Sequence, residues 1–141
     1  MKSRLFFTLL LLGVLAAAAW AQENPLPEVQ KEAFHLYLLA GQSNMAGRGV
    51  LTKQDKTAHP RVFALNRENR WVPAVEPLHF DKPAIVGVGP GLAFGKAMAE
   101  ADPNVVIGLV PCAAGGSPIS VWRPQAHYPA TGVHPYDDAI A

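Results

Sequence analysis

The sequence predicts a parallel α/β domain, and three observations carry that prediction. Two short apolar runs, 34–40 and 105–110, have the near-continuous hydrophobicity of strands buried on both faces. Between them lies a segment with helical spacing of its apolar positions. A strand, helix, strand order of this kind builds a parallel unit with its ligand site at the carboxyl edge of the sheet.

The elements follow in order. Lys2 and Arg4 precede an apolar run from Leu5 to Ala18, and Ala19-Trp20-Ala21 supplies a small-x-small cleavage pattern. Residues 1–21 therefore read as a signal peptide, because the run falls short of the roughly 20 apolar residues needed to cross a bilayer. The expected destination is outside the cytoplasm, periplasmic or secreted, with no membrane anchor left after cleavage. Residues 22–32, with Pro25 and Pro27, read as an extended lead-in, and the domain is expected over 33–141.

Phe34 to Ala40 is the first predicted strand, punctuated by Gly41, and residues 48–60 are polar and turn-rich, as an exposed loop. Arg61–Leu65 and Trp71–Val75 flank the polar stretch 66–70, which predicts a hairpin decorating the main sheet, with Trp71 packed. Pro90 suits the first turn of a helix over Leu92–Glu100, and Asp102-Pro103-Asn104 ends it. Val105–Val110 is the second buried strand, and Ala113–Pro129, rich in Gly, Ser and Pro, is a long loop beyond its carboxyl end. Pro135 and the acidic Asp137-Asp138 read as the start of a further helix.

Composition narrows the partners. A formal net charge of +1 leaves no basic stripe for nucleic acid and no acidic tail, so small or neutral molecules are expected. The single cysteine, Cys112, forms no internal disulfide and reads as a buried packing residue. No His/Cys/Asp cluster has metal-ligand spacing, and the glycine loop Gly87–Gly91 lacks the lysine of a phosphate-binding loop, so neither metal nor nucleotide cofactor is implied.

Ser43 stands just past the first strand, where a hydroxyl projects from the sheet edge beside free backbone N–H groups. A serine nucleophile needs a base and donors for the oxyanion, and Ser43 N–H and the glycine loop can supply donors. The Gly-x-Ser-x-Gly elbow of the α/β-hydrolases is broken, since Met45 occupies the second glycine position.

Leu39-Ala40-Gly41-Gln42-Ser43-Asn44-Met45-Ala46-Gly47 resembles the nucleophile block of the SGNH hydrolases, in the branch of sialate O-acetylesterases and family-six carbohydrate esterases such as acetylxylan esterases. Gly87–Phe94 looks like the second block of that branch, and Ile107–Trp122 like its Gly-Leu-Val-Pro-Cys-Ala-x-Gly-Gly segment. The resemblance implies a flavodoxin-like, three-layer SGNH fold and a serine esterase that removes O-acetyl groups from carbohydrates. It makes Ser43 the nucleophile, with the N–H of Ser43 and of either Gly89 or Gly91 receiving the oxyanion. Pro90 between them has no N–H to offer. Gln42, Asn44, Gly116 and Ser117 are candidates for lining the acetyl or sugar pocket, and Trp122 and Tyr128 for stacking on a sugar ring.

The family pattern continues with a Gln-Gly-Glu block and a late Asp-x-x-His that carries the base, and neither occurs in these residues. None of the five histidines, His35, His59, His79, His127 and His134, has an aspartate three positions before it. The chain is therefore expected to be the amino-terminal part of an SGNH esterase, incomplete at its carboxyl end and inactive alone. Two other readings remain open: a non-catalytic exported carbohydrate-binding protein on this scaffold, and an SGNH lipase or thioesterase.

Overall fold

A computed structural model describes residues 26–141. The proposed signal peptide lies outside the described residues. After a 3₁₀ turn at Lys31–Ala33, strand β1 (Phe34–Leu39) leads into a single helical turn, α1 (Ser43–Ala46). Strands β2 (Val62–Leu65) and β3 (Trp71–Pro73), helix α2 (Pro90–Ala101), strand β4 (Val106–Pro111) and helix α3 (Pro135–Ile140) follow, with 3₁₀ turns at Gln54–Lys56 and Ile119–Val121.

The sheet order is β1-β4-β2-β3. β1 and β4 run parallel in a register from Phe34↔Val106 to Leu39↔Pro111, and β4 pairs parallel with β2 from Val62↔Ile107 to Ala64↔Leu109. Only β3 is antiparallel, paired to β2 through Phe63↔Pro73 to Leu65↔Trp71. The expected hairpin is present, but its first arm is an inner member of the sheet and not a decoration. Val62, Phe63 and Ala64 are all buried, so both faces of β2 are covered and the ladder to β4 is favourable.

Helix α2 packs on one face, where Val62, Ile107 and Leu109 are fully buried with Leu39 and Leu92. Close approach depends on the helix's small residues. A Cβ at Gly91 would lie 2.6 Å from Leu39 Cδ1, and one at Gly95 would lie 3.0 Å from Leu109 Cδ1 and Val62 Cγ1. On the opposite face Phe34 and Trp71 meet edge-on, ring centroids 5.1 Å apart, over Gly108, where a Cβ would collide with both rings. Trp71 is thus packed, as expected. β1 departs from its expectation of two covered faces: Leu36 and Leu38 are 59% and 50% exposed, because the helix side of the sheet takes only the alternate residues Tyr37 and Leu39.

Side chains from outside α2 close both of its ends. Arg61, just before β2, donates from Nη1 to the carbonyls of Asp102 and Val105 and from Nη2 to that of Ala99 at 2.5 Å. Glu76, just beyond β3, accepts at the other end, as described below. The cation at the carboxyl end matches the helix dipole, and the carboxyl oxygens at the amino end accept backbone N–H groups there. Among the described residues no helix is long and apolar enough to cross a membrane.

Candidate active site

The carboxyl ends of β1 and β4 carry the site. Gly41 turns the chain at φ +144°, and Gln42 follows at φ −119°, ψ −146°, its carbonyl accepting the N–H groups of Met45 and Ala46 at 3.0 and 2.9 Å. This turn places Ser43 at the first position of α1, half-buried, between exposed Gln42 and Asn44. The N–H groups of Ser43 and Asn44, in the first helical turn, take no partner among the described residues. A short helix start with free donors beside a serine hydroxyl is the geometry an acyl-transfer site needs.

The glycine loop is locked to this turn. Gly49 and Val88 exchange two backbone hydrogen bonds, 3.0 and 2.9 Å, and Gly87 N–H donates to Gly47 carbonyl at 3.1 Å. Gly47 has φ +85°, and a Cβ there would lie 2.5 Å from the Gly89 nitrogen. Only glycine satisfies both the conformation and the contact.

Within the loop the two candidate donors differ. Gly89 N–H points to Glu76 Oε1 at 3.4 Å, while Glu76 Oε2 accepts Leu78 N–H at 3.1 Å. Gly91 N–H has no partner among the described residues. Glu76 is only 2% exposed, and burial raises its pKa against the lowering effect of the N–H groups of Leu78, Gly89 and Leu92.

The segment after β4 is tied to the end of β1 and the Ser43 turn. Cys112 N–H donates to Leu39 carbonyl at 3.1 Å and Ala114 N–H to Gly41 carbonyl at 2.9 Å. Asp81 Oδ2 accepts Gly115 N–H at 2.7 Å and Arg48 Nη2 at 3.0 Å, and Arg48 Nη1 reaches Gly47 carbonyl at 2.6 Å. One buried carboxylate thereby holds the chain after Ser43 against the loop after β4. Ser117 is buried, its hydroxyl accepting the Trp122 indole N–H at 2.9 Å, while Gly116, at φ +82°, is exposed. Tyr128 donates its hydroxyl to Gly115 carbonyl at 3.4 Å. Both aromatic residues are therefore tied to the loop by their polar atoms.

No histidine hydrogen-bonds Ser43 among the described residues. His79 is 4% exposed and its Nδ1 accepts Ala113 N–H at 3.3 Å, which leaves the neutral ring's proton on Nε2. Burial, together with the nearby Arg48, lowers its pKa to about 4 against the pull of Asp81. His59 accepts Arg61 N–H, the His127 and His134 rings meet at a 45° tilt with centroids 5.0 Å apart, and His35 is exposed on β1. Cys112 is half-buried and not fully buried as expected, and desolvation and Asp138 push its thiol up to about 11, which does not suit nucleophilic chemistry.

Sequence reasoning placed Ser43 and the two following segments together, but it passed over Glu76, Asp81 and Arg48. Their signal was available: Glu76 and Asp81 are lone acidic residues among Ala74, Val75, Leu78 and Phe80, positions with no reason to be charged unless partnered.

A mostly parallel sheet with a half-buried serine at its carboxyl edge, framed by a glycine loop and free helix-start donors, defines an SGNH-type α/β domain. Residues 33–141 match the family model described as carbohydrate esterase, sialic acid-specific acetylesterase, and the chain belongs to that family. It is 40% identical over 124 residues to a probable carbohydrate esterase of Arabidopsis thaliana, covering 74% of this chain and 45% of the relative. The crystal structure of that Arabidopsis protein superposes with a TM-score of 0.60 at 34% identity, over 75% of this chain and 50% of the other. The crystal structure of NanS shares the fold, with a TM-score of 0.56 at 20% identity, over 80% of this chain and 48% of the other. The chain thus spans about half the length of the relatives it matches.

Proposed function

We propose that this chain carries the nucleophile half of an exported serine esterase that removes O-acetyl groups from carbohydrates. The observation that carries the reading is Ser43 at the first position of α1, with unpartnered N–H groups beside it and the glycine loop bonded to the same turn. Ser43 Oγ attacks the acetyl carbonyl as a base takes its proton; the N–H of Ser43 and a second donor hold the oxyanion. Collapse releases the sugar hydroxyl with that proton and leaves acetyl-Ser43, which water hydrolyses to acetate. Gly91 is favoured as the second donor, since Gly89 N–H already faces a carboxyl group. Exposed Gln42, Asn44 and Gly116 line the acetyl side, whereas Ser117 supports Trp122.

The base in this reading is the family's Asp-x-x-His, so the 141 residues alone do not turn over. The experiment is release of acetate from O-acetylated xylan and O-acetylated sialic acid by the 141-residue chain, by the protein translated from the whole gene, and by its Ser43→Ala variant. Hydrolysis by the whole-gene protein that is lost in Ser43→Ala supports the reading; undiminished hydrolysis by that variant refutes it. A non-catalytic carbohydrate-binding role is the second reading, favoured by the absence of any histidine bonded to Ser43 among the described residues.

A further inference from the structure

Arg48 and Asp81 form a junction behind the Ser43 turn. Gly47 N–H donates to the Ser43 carbonyl at 3.0 Å, closing α1, and the Gly47 carbonyl takes two donors, Arg48 Nη1 at 2.6 Å and Gly87 N–H at 3.1 Å. Arg48 Nη2 pairs with Asp81 Oδ2 at 3.0 Å, and the same oxygen accepts Gly115 N–H at 2.7 Å. One guanidinium therefore joins the exit of the nucleophile turn, the carbonyl that anchors the glycine loop, and a carboxylate that holds the segment after β4.

Gly115 is dictated by this junction. Its backbone is not left-handed, yet a Cβ there would collide with Arg48 Nη2 and lie 2.5 Å from Asp81 Oδ2. The two side chains that cross it, and not the turn itself, require a residue without a side chain.

Stability alone is a weak reason for such a pair. A buried carboxylate repays its desolvation only when its remaining lone pairs are satisfied, and Asp81 Oδ1 is buried with no hydrogen-bond partner among the described residues. The Asp81 side chain is 3% exposed and that of Arg48 26%, so the contact lies largely out of water. What the pair does supply is register: a planar guanidinium with two donors in fixed geometry sets Gly47 against Asp81 more tightly than a point charge does.

We propose that Arg48 and Asp81 are a positioning pair for acyl transfer. Together they set the Ser43 turn against the glycine loop, and so fix the separation between Ser43 Oγ and the second oxyanion donor. The inference rests on the nucleophile reading above and goes beyond it, since neither side chain is required to touch the substrate.

Hydrolysis of 4-nitrophenyl acetate by the protein translated from the whole gene tests the pair, using Arg48→Lys, Asp81→Asn, the double variant and Ser43→Ala. Lysine keeps the charge but lacks the two-nitrogen fork. The expected result for Arg48→Lys is kcat lowered by at least about tenfold per folded molecule, approaching the roughly hundredfold cost of misplacing a reacting group by about 1 Å, with KM within about twofold. The double variant should be no slower than the poorer single one, because the two residues act as a unit. An ion pair that serves only stability would lower the folded fraction, read by far-UV circular dichroism, and leave kcat per folded molecule unchanged. Full kcat per folded molecule in Arg48→Lys, or losses that multiply in the double variant, overturns the proposal. Should either single variant not fold, Gly115→Ala, which displaces the pair without removing a charge, carries the test by the same kcat criterion. If Ser43→Ala removes hydrolysis while Arg48→Lys keeps it, only the positioning pair fails. If Ser43→Ala leaves hydrolysis intact, the nucleophile reading fails and the pair with it.

Discussion

Glu76 accepts the N–H of Gly89 from a position thirteen residues earlier in the chain, inside the core and at the threshold of α2. The helix has no cap from its own N-cap residue, Gly89, so this carboxyl group stands in for the usual Ser, Thr or Asp. The same contact fixes the glycine loop that faces the Ser43 turn. One buried side chain therefore links helix capping to the geometry of the site.

Glu76→Ala should destabilise the chain by about 1–3 kcal/mol, the cost of leaving buried N–H groups unpaired, and Glu76→Gln by less. The pH dependence has a definite sign. A carboxyl pKa raised above its ordinary 4.5 means that the folded state holds the proton more tightly, so this contribution is full below pH 4.5 and is lost as pH rises through the raised value. Melting temperatures of wild type and Glu76→Gln across pH 4 to 8 check this: the variant should lose that alkaline-side decline.

His79 works in the opposite direction. Its pKa is lowered from 6.5 to about 4, so folding favours the neutral ring, and stability falls as pH drops from 6.5 through 4. The full effect is about 3 kcal/mol at the acid end. Chemical denaturation of His79→Gln should show a flatter acid limb than wild type, and an unchanged limb would mean that the ring is not buried neutral.

Gly47→Ala is expected to cost more than 2 kcal/mol, since a Cβ would strike the Gly87–Gly89 backbone and φ +85° suits glycine alone. Gly49→Ala, at ordinary φ and with a Cβ 3.0 Å from the Val88 side chain, should cost less. Urea midpoints for the two variants provide the comparison.

Cys112, with its thiol raised to about 11, should react slowly with iodoacetamide at pH 8 in the folded chain and rapidly in guanidinium chloride. Fast alkylation of the folded chain at pH 8 would show a thiolate that burial does not permit.

Much of the fold was legible because its signals are local. β1, β4 and α2 each announce themselves within six to twelve residues, through continuous apolar runs, helical periodicity and the Pro90 start. The placement of Ser43 followed from the strand before it and the glycine that ends that strand. The inner position of β2 was not legible, because a hairpin reads the same whether its first arm borders solvent or another strand.

The sequence by itself determined the order of elements and put a serine, a glycine loop and a Gly-Gly segment at strand ends that a parallel sheet brings to one edge. Only the tertiary structure decided what holds them there. Arg48 meets Asp81 across 33 positions, Asp81 meets Gly115 across 34 and Arg61 meets Ala99 across 38. Such contacts leave no periodic trace, because an isolated charge in an apolar stretch signals that a partner exists but not which residue, dozens of positions away, supplies it. Folding makes that choice, since a carboxylate removed from water must find compensating donors wherever the chain provides them.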